Sequence, residues 1–171
     1  MELYLIRHAH YIPDGESSRY IQRDGHLSED GKLQSERLGE RFVKEGLKFD
    51  KIYSSKTIRA EETAQICCRV MGIEGIISSE ELVEDQIDEE PNDVVNRMRD
   101  FIDDIKSKFD EGCFGIFSHC FAIRYLLRTL EKNADLTVLP HTGVALLNYS
   151  SSKPIIFPYD TLKHLNGIES Y

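Results

Sequence analysis

Apolar runs of strand length alternate with helix-like patterns along almost the whole chain. Residues 3–6 are continuously apolar, as in a strand buried on both faces. Residues 92–109 instead repeat their apolar positions at the helical spacing. Strands and helices in alternation predict the α/β class, here a three-layer α/β/α sandwich with a mostly parallel central sheet. The 171 residues fit a single domain over residues 1–171, since cores of roughly 100–200 residues are common.

The boundaries of the elements follow from the same patterns. A helix is predicted to begin after Ser28, a favourable N-cap, and to end at Gly46. We expect Leu33, Leu38 and Phe42 to face inward from it. Further strands are predicted at 51–53, 76–77, 113–117 and 144–149, an edge strand at 154–158, and helices at 57–71, 92–109 and around 123–130.

Charge and hydropathy exclude several classes of protein. The net charge of −9 argues against a nucleic-acid partner, because such proteins bind phosphates through basic surfaces. The N-terminus has an acid where a signal peptide is basic, and no stretch approaches the roughly 20 apolar residues of a membrane span. We therefore expect a cytoplasmic protein with no membrane partner. Nothing in the sequence predicts its oligomeric state.

The cysteines do not indicate a metal or redox site. None of the four forms a Cys-x-x-Cys pair. Cys67 and Cys68 lie on an apolar helical stripe and Cys113 begins a predicted strand, so these three are predicted to be buried, reduced packing residues. Cys120 follows a histidine, but a cysteine phosphatase loop needs an arginine six positions later, where this chain has Leu126.

Three predicted strands are followed by residues suited to binding phosphate. Arg7 and His8 follow the first, Arg59 the second, and His119 the strand at 113–117. Ligands of such sheets bind at the carboxyl ends of the strands, so these side chains should converge. Arginines match phosphate oxygens, a neutral histidine is a nucleophile toward phosphorus, and a second histidine can hold charge against a bound dianion.

Four segments resemble those of the histidine phosphatase superfamily, which includes the cofactor-dependent phosphoglycerate mutases. They occur in family order over nearly the whole chain. The segments are Arg7-His8-Ala9, Leu27-Ser28-x-x-Gly31-x-x-Gln34, Ser54-Ser55-x-x-x-Arg59-Ala60-x-x-Thr63-Ala64, and Ser118-His119 with Ile123-Arg124.

The resemblance implies a role for each site residue. His8 takes the phosphoryl group, and Arg7, Arg59 and His119 bind the phosphate, with no metal and no cofactor. A carboxylic acid protonates the leaving oxygen, and Glu84 matches the family's Leu-x-Glu spacing. Its competitors are Glu80, Glu81 and Asp85. The loop that begins at His141 lies where family members touch the phosphate.

Departures from the family pattern favour a compact phosphatase over a phosphoglycerate mutase, and we expect its substrate to be a small phosphorylated metabolite. His10 stands where many family members have Glu or Gln, Tyr11 where mutases have Ser or Thr, and Asp14 near the place of a mutase asparagine. The family's Gly-x-x-x-Glu-Gly segment beyond the acid is absent. With these departures the chain also resembles the short branch of protein phosphohistidine phosphatases, in which the proton-donating acid is missing. Two alternatives within the family stay open. One is a phosphoglycerate mutase-like phosphotransferase, and the other is a protein phosphohistidine phosphatase.

Two readings from other classes are also open. His8 and His10 share a strand face and could begin a metal site, although the nearby arginines would repel a cation. The same fold could also serve as a non-catalytic phosphate-binding module.

Overall fold

A computed structural model describes residues 1–15, 24–84, 88–131, 139–151, 154–158 and 163–165. The strands are β1 (Glu2–Arg7), β2 (Lys51–Ser55), β3 (Ile76–Ser79), β4 (Cys113–Ser118), β5 (Val144–Asn148) and β6 (Ile155–Pro158). The helices are α1 (Glu29–Lys44), α2 (Ile58–Met71), α3 (Pro91–Lys108) and α4 (Cys120–Leu130). The predicted order of strands and helices is confirmed, including the edge strand β6.

The six strands form one sheet in the order β3-β2-β4-β1-β5-β6. The pairs β2–β3, β2–β4 and β1–β4 are parallel, whereas β5 runs antiparallel to both β1 and β6. The sheet is therefore mostly parallel, as predicted. Its central strands β4 and β1 are almost wholly buried, which explains their continuous apolar runs.

Helices cover both faces of the sheet. On one face, α3 and α4 pack on the β1 residues Leu3 and Leu5. On the other face, α1 and α2 pack on Tyr4 and Ile6 of the same strand. Alternate residues of β1 thus enter separate cores, and the three-layer α/β/α arrangement is confirmed. Assignment of residues 1–171 to one domain stays a prediction.

The prediction that Leu33 faces inward from α1 is wrong, because its exposure is 38%. The buried face instead includes the small or polar residues Gln34, Ser35 and Gly39, together with the correctly predicted Leu38 and Phe42. Small residues are needed because α1 packs closely on α2: a Cβ at Gly39 would lie 2.9 Å from the Cβ of Val70. An apolar pattern alone does not reveal such a face.

The start of α1 and the state of the cysteines agree largely with prediction. Ser28 caps α1 by accepting a hydrogen bond from the amide of Gly31. All four cysteines are free thiols. Cys67 and Cys68 are buried, but Cys113 is only partly buried because it begins a strand at the edge of the core.

Within the described residues, no helix combines the length and the apolar character that crossing a membrane requires.

Candidate active site

The predicted site residues converge at the carboxyl ends of β1, β2 and β4. The parallel pairing of β1 with β4 places Arg7 beside Ser118, and the amide of His8 donates to the carbonyl of Ser118 at 2.9 Å. His8 and His119 follow these strands, and their ring centroids are 5.1 Å apart. The sheet topology thus brings together residues that lie more than a hundred positions apart.

His8 is held as a neutral imidazole whose Nε2 is unprotonated. His8 is only 2% exposed, and its Nδ1 lies 2.8 Å from the carbonyl oxygen of Ala9. Because a carbonyl only accepts, Nδ1 carries the proton and Nε2 keeps its lone pair. Burial, which removes the side chain from water, is the largest cause that holds the pKa of His8 well below its ordinary value, and the positive charge of Arg59 is the second.

Arg59 joins the two histidines. It is 2% exposed, and its Nε donates to Nε2 of His8 at 3.3 Å while Nη2 lies 3.1 Å from Nδ1 of His119. Its position is fixed from α2, where Thr63 accepts from the amide of Ala9 at 3.0 Å and donates to the carbonyl of Arg59 at 2.7 Å. These contacts tie Arg59 and Thr63 of the same segment to the strand end that carries His8.

His119 is fully buried, and its imidazole favours the neutral form. Its Nε2 lies 2.9 Å from Oγ of Ser55, at the end of β2. Desolvation and the neighbouring His8 and Arg59 hold the pKa of His119 well below its ordinary value. The expected protonation of this histidine by a bound dianion stays a prediction, since the dianion would act in the opposite direction.

Arg7 and His141 contact each other close to His8. Arg7 donates from Nη1 to the carbonyl of Leu139 at 2.6 Å and from Nη2 to Nε2 of His141 at 3.1 Å. Its Nε is buried and makes no hydrogen bond to any other described residue. The ring centroid of His141 lies 5.7 Å from that of His8. A buried donor without an acceptor is what an anion-binding site provides before the anion arrives.

Glu84 points into this cluster and is 5% exposed. Its Oε1 accepts from the amides of Phe121 and Ala122, at 2.9 and 3.2 Å, in the first turn of α4. Its Oε2 lies 3.6 Å from Nδ1 of His119. The carboxylate is thus fixed by one oxygen and presents the other to the site.

The competing acids are placed differently. Glu80 is exposed and pairs with Lys56 at 3.1 Å. Glu81 accepts from Ser79, and this hydrogen bond lowers the pKa of its carboxyl group. Asp85 lies outside the described residues. Of the acids at 80, 81 and 84, only Glu84 approaches the two histidines.

Two residues of this region were not found by sequence reasoning. Asp24 accepts from Nη1 of Arg59 at 3.0 Å and from the amide of Ile58 at 2.6 Å, and therefore orients both the guanidinium and the start of α2. Arg97, on α3, donates to backbone carbonyls of the segment that carries Glu84. Asp24 and Arg97 both contact groups that are distant in sequence, so no local sequence pattern indicates their roles.

The structure also bears on the rival readings. Nδ1 of His10 lies 2.7 Å from Oγ of Ser28, and among the described residues His10 is not one of those whose ligand atoms cluster with His8. Ligand atoms of His8, Glu84 and His119 do lie within 4.8 Å of one another, a spacing that suits a metal ion. Arg59, however, directs a positive guanidinium at the two histidine nitrogens. Burial raises the pKa of Cys120, which disfavours the thiolate a cysteine phosphatase needs.

Comparison with known proteins identifies a family model that matches most of the chain and a curated relative that matches about a third of it. The family model for the histidine phosphatase superfamily (branch 1) matches residues 3–88 and 79–156. The mitochondrial serine/threonine-protein phosphatase Pgam5 of Drosophila mojavensis is 39% identical over 64 residues, which are 37% of this chain and 21% of that protein. The matched segment therefore spans about a fifth of that relative.

Solved structures of low sequence identity share the fold. A mutant phosphoserine phosphatase from Entamoeba histolytica, in complex with phosphoserine, aligns with a TM-score of 0.76 at 16% identity, covering 96% of this chain and 98% of that one. The protein histidine phosphatase SixA, in complex with tungstate, aligns with a TM-score of 0.74 at 16% identity, covering 92% and 94%.

Proposed function

This chain belongs to the histidine phosphatase superfamily, and on that basis we propose that it hydrolyses phosphomonoesters, without a metal ion, through a phosphohistidine on His8. The observation that carries the proposal is the state of His8. It is a buried, neutral imidazole whose Nε2 accepts a hydrogen bond from the guanidinium of Arg59, and the charge of Arg7 also lowers its pKa. A nucleophile beside two phosphate-binding groups is what phosphoryl transfer requires.

The first half-reaction uses residues that already adjoin one another. Nε2 of His8 forms a bond to phosphorus while the bond from phosphorus to the leaving oxygen breaks. The electron pair stays on that oxygen, which takes a proton from the protonated carboxyl group of Glu84 and leaves it as a carboxylate. Arg7, Arg59 and His119 offset the charge of the transferring group by hydrogen bonds to its oxygens.

The second half-reaction returns the enzyme to its initial state. Water bonds to phosphorus and gives a proton to the Glu84 carboxylate, while the bond between phosphorus and Nε2 breaks. The electron pair returns to the imidazole, and inorganic phosphate leaves. One carboxyl group therefore serves as acid and then as base.

The substrate proposed is a small phosphorylated metabolite. The phosphoserine phosphatase with the same fold was crystallised with phosphoserine, which supports this class. The buried carboxyl of Glu84 favours an ester, whose alkoxide needs a proton, over the phosphohistidine substrate of the branch without an acid. A cytoplasmic location stays a prediction.

The direct test is an activity screen over phosphorylated metabolites, nucleotides and phosphopeptides with a chelator present throughout. We expect release of phosphate from monoesters that the chelator does not reduce. Interconversion of phosphoglycerates faster than release of phosphate would favour the mutase alternative, and binding of phosphate without turnover would favour the non-catalytic module.

The histidines should titrate in an unusual order. The pKa of the exposed His26 is raised by its hydrogen bond to Glu62, whereas the pKa values of buried His8 and His119 are lowered well below normal. As pH falls through about 6.5, the ordinary histidine value, we expect His26 to be protonated already and the other two to stay neutral. Imidazole nitrogen shifts measured by NMR on the unliganded protein check this order. A pKa of His8 at or above that of His26 would contradict the neutral nucleophile.

Arg59→Lys should weaken binding of substrate and of inorganic phosphate together. Lysine keeps the charge and fills much of the buried space, but it cannot offer two donors to two oxygens. The loss of a charge-assisted bond is expected to cost about 1.5–3 kcal/mol, or roughly ten- to hundredfold in affinity. The matched control is Arg69→Lys on the exposed face of the same helix. Unchanged inhibition by phosphate in Arg59→Lys would remove this residue from the phosphate site.

A further inference from the structure

A single guanidinium holds the backbone that carries Glu84. Nη1 of Arg97 donates to the carbonyls of Glu81 and Val83, at 2.8 and 2.7 Å, and Nη2 donates to the carbonyl of Glu84 at 2.9 Å. Three carbonyls within four residues are thus bound by one side chain from α3. Each is a charge-assisted bond, stronger than the same bond from a neutral donor.

Arg97 is itself fixed by an ion pair. Its Nε and Nη2 donate to the two carboxylate oxygens of Glu89, at 2.7 and 2.9 Å. The side chains are only 17% and 15% exposed, so the pair is shielded from solvent. A two-pronged contact of this kind fixes the orientation of the guanidinium as well as its position.

Two separate sets of hydrogen bonds therefore fix the position of the Glu84 carboxylate. Its backbone is bound by Arg97, and its Oε1 by the amides at the start of α4. Oε2 is left 3.6 Å from His119. Proton transfer in a transition state depends on such placement, because a displacement of about 1 Å can cost about a hundredfold in rate.

We propose that Arg97, oriented by Glu89, is a positioning residue that holds Glu84 where it can protonate the leaving group. The proposal rests on the proposed function, because it requires Glu84 to be the proton donor. Arg97 makes no described hydrogen bond to Arg7, Arg59, His119 or His8. It acts on His119 through its charge, which is one of the smaller causes that lower the pKa of that histidine. Its effect should consequently appear in the step that needs a proton and not in phosphate binding.

The test compares two substrates in Arg97→Met, which keeps an unbranched stem and removes all the donors. We expect kcat/KM for an alkyl phosphate to fall about ten- to hundredfold. The value for p-nitrophenyl phosphate, whose leaving group departs without a proton, should stay close to that of the wild type, as should inhibition by inorganic phosphate. Arg99→Met, on the exposed side of the same helix, is the matched control and should resemble the wild type for both substrates.

A double-mutant cycle separates positioning from a general loss of structure. In a Glu84→Gln background there is no proton left to position, so adding Arg97→Met should cause little further loss for the alkyl phosphate. Additive losses, or equal losses for both substrates in Arg97→Met alone, would overturn the proposal. If Arg97→Met does not fold, Glu89→Gln is the second variant, because it removes the ion pair and keeps the size of the side chain. We expect the same selective loss of activity toward the alkyl phosphate, smaller in size. An equal loss for both substrates in Glu89→Gln would also overturn the proposal.

Failure of this inference can be told apart from failure of the proposed function. If the wild type hydrolyses no monoester, the function itself is wrong, and this inference is overturned with it. If the wild type is active but Glu84→Gln shows no dependence on the leaving group, the assignment of the acid is wrong and Arg97 has nothing to position. A selective effect in Glu84→Gln without one in Arg97→Met overturns only the positioning role.

Discussion

Replacement of His8 with alanine is expected to abolish turnover of phosphomonoesters, lowering kcat by about 10⁴-fold or more. Without Nε2 no phosphoenzyme can form, and the remaining residues would have to activate water directly. Phosphate binding should survive, because Arg7, Arg59 and His119 are unchanged. This separation of turnover from binding is what a nucleophile, as opposed to a structural histidine, should produce.

Trapping of the intermediate supplies the measurement. Wild-type protein quenched during turnover of a labelled phosphoester should carry a label that is labile in acid and stable in base, as expected for a phosphorus–nitrogen bond. His8→Ala should carry none, whereas His26→Ala, which removes an exposed histidine paired with Glu62, should label normally. Label that persists in His8→Ala would assign the nucleophile to another residue.

The convergence of the site could be predicted because it depends on topology. A parallel sheet places the ends of its strands at one edge, so residues after β1, β2 and β4 had to meet. The apolar runs of β1 and β4 identify them as buried strands, whereas β2 shows only the short run Ile52-Tyr53. The same rule places Arg7, His8, Arg59 and His119 together from the sequence alone.

Side-chain partners could not be predicted in the same way. Asp24 and Arg97 contribute through contacts with backbone groups and with charges far along the sequence. Such contacts leave no periodic pattern. The same limit explains Leu33, since the inward face of α1 is determined by close packing on α2 and not by hydropathy.

The choice among the acids also required the structure. The segment 80–93 contains eight acids and no basic residue, and the spacing of Leu82 and Glu84 was the only local guide. In the fold, Glu80 and Glu81 bind Lys56 and Ser79 instead of entering the site. The amides at the start of α4 draw Glu84 inward, and this selection depends on tertiary contacts.

Replacement of Glu84 with glutamine is expected to slow hydrolysis of alkyl phosphates by about 10²–10⁴-fold, the usual contribution of a general acid. Glutamine is nearly the same size, and its carbonyl oxygen can still accept from the amides of Phe121 and Ala122. The fold and the start of α4 should therefore be preserved. What is lost is the proton that the leaving alkoxide requires.

The loss should depend on the leaving group, and kcat/KM is the quantity to compare. It reports the steps up to phosphorylation of His8, whereas kcat can be limited by hydrolysis of the phosphoenzyme, which is common to all substrates. For p-nitrophenyl phosphate, kcat/KM should stay near the wild-type value because nitrophenolate leaves unprotonated. Glu80→Gln and Glu81→Gln are the matched controls and should affect neither substrate. An equal decrease for both substrates in Glu84→Gln would mean that this carboxyl group supports the site without supplying the proton.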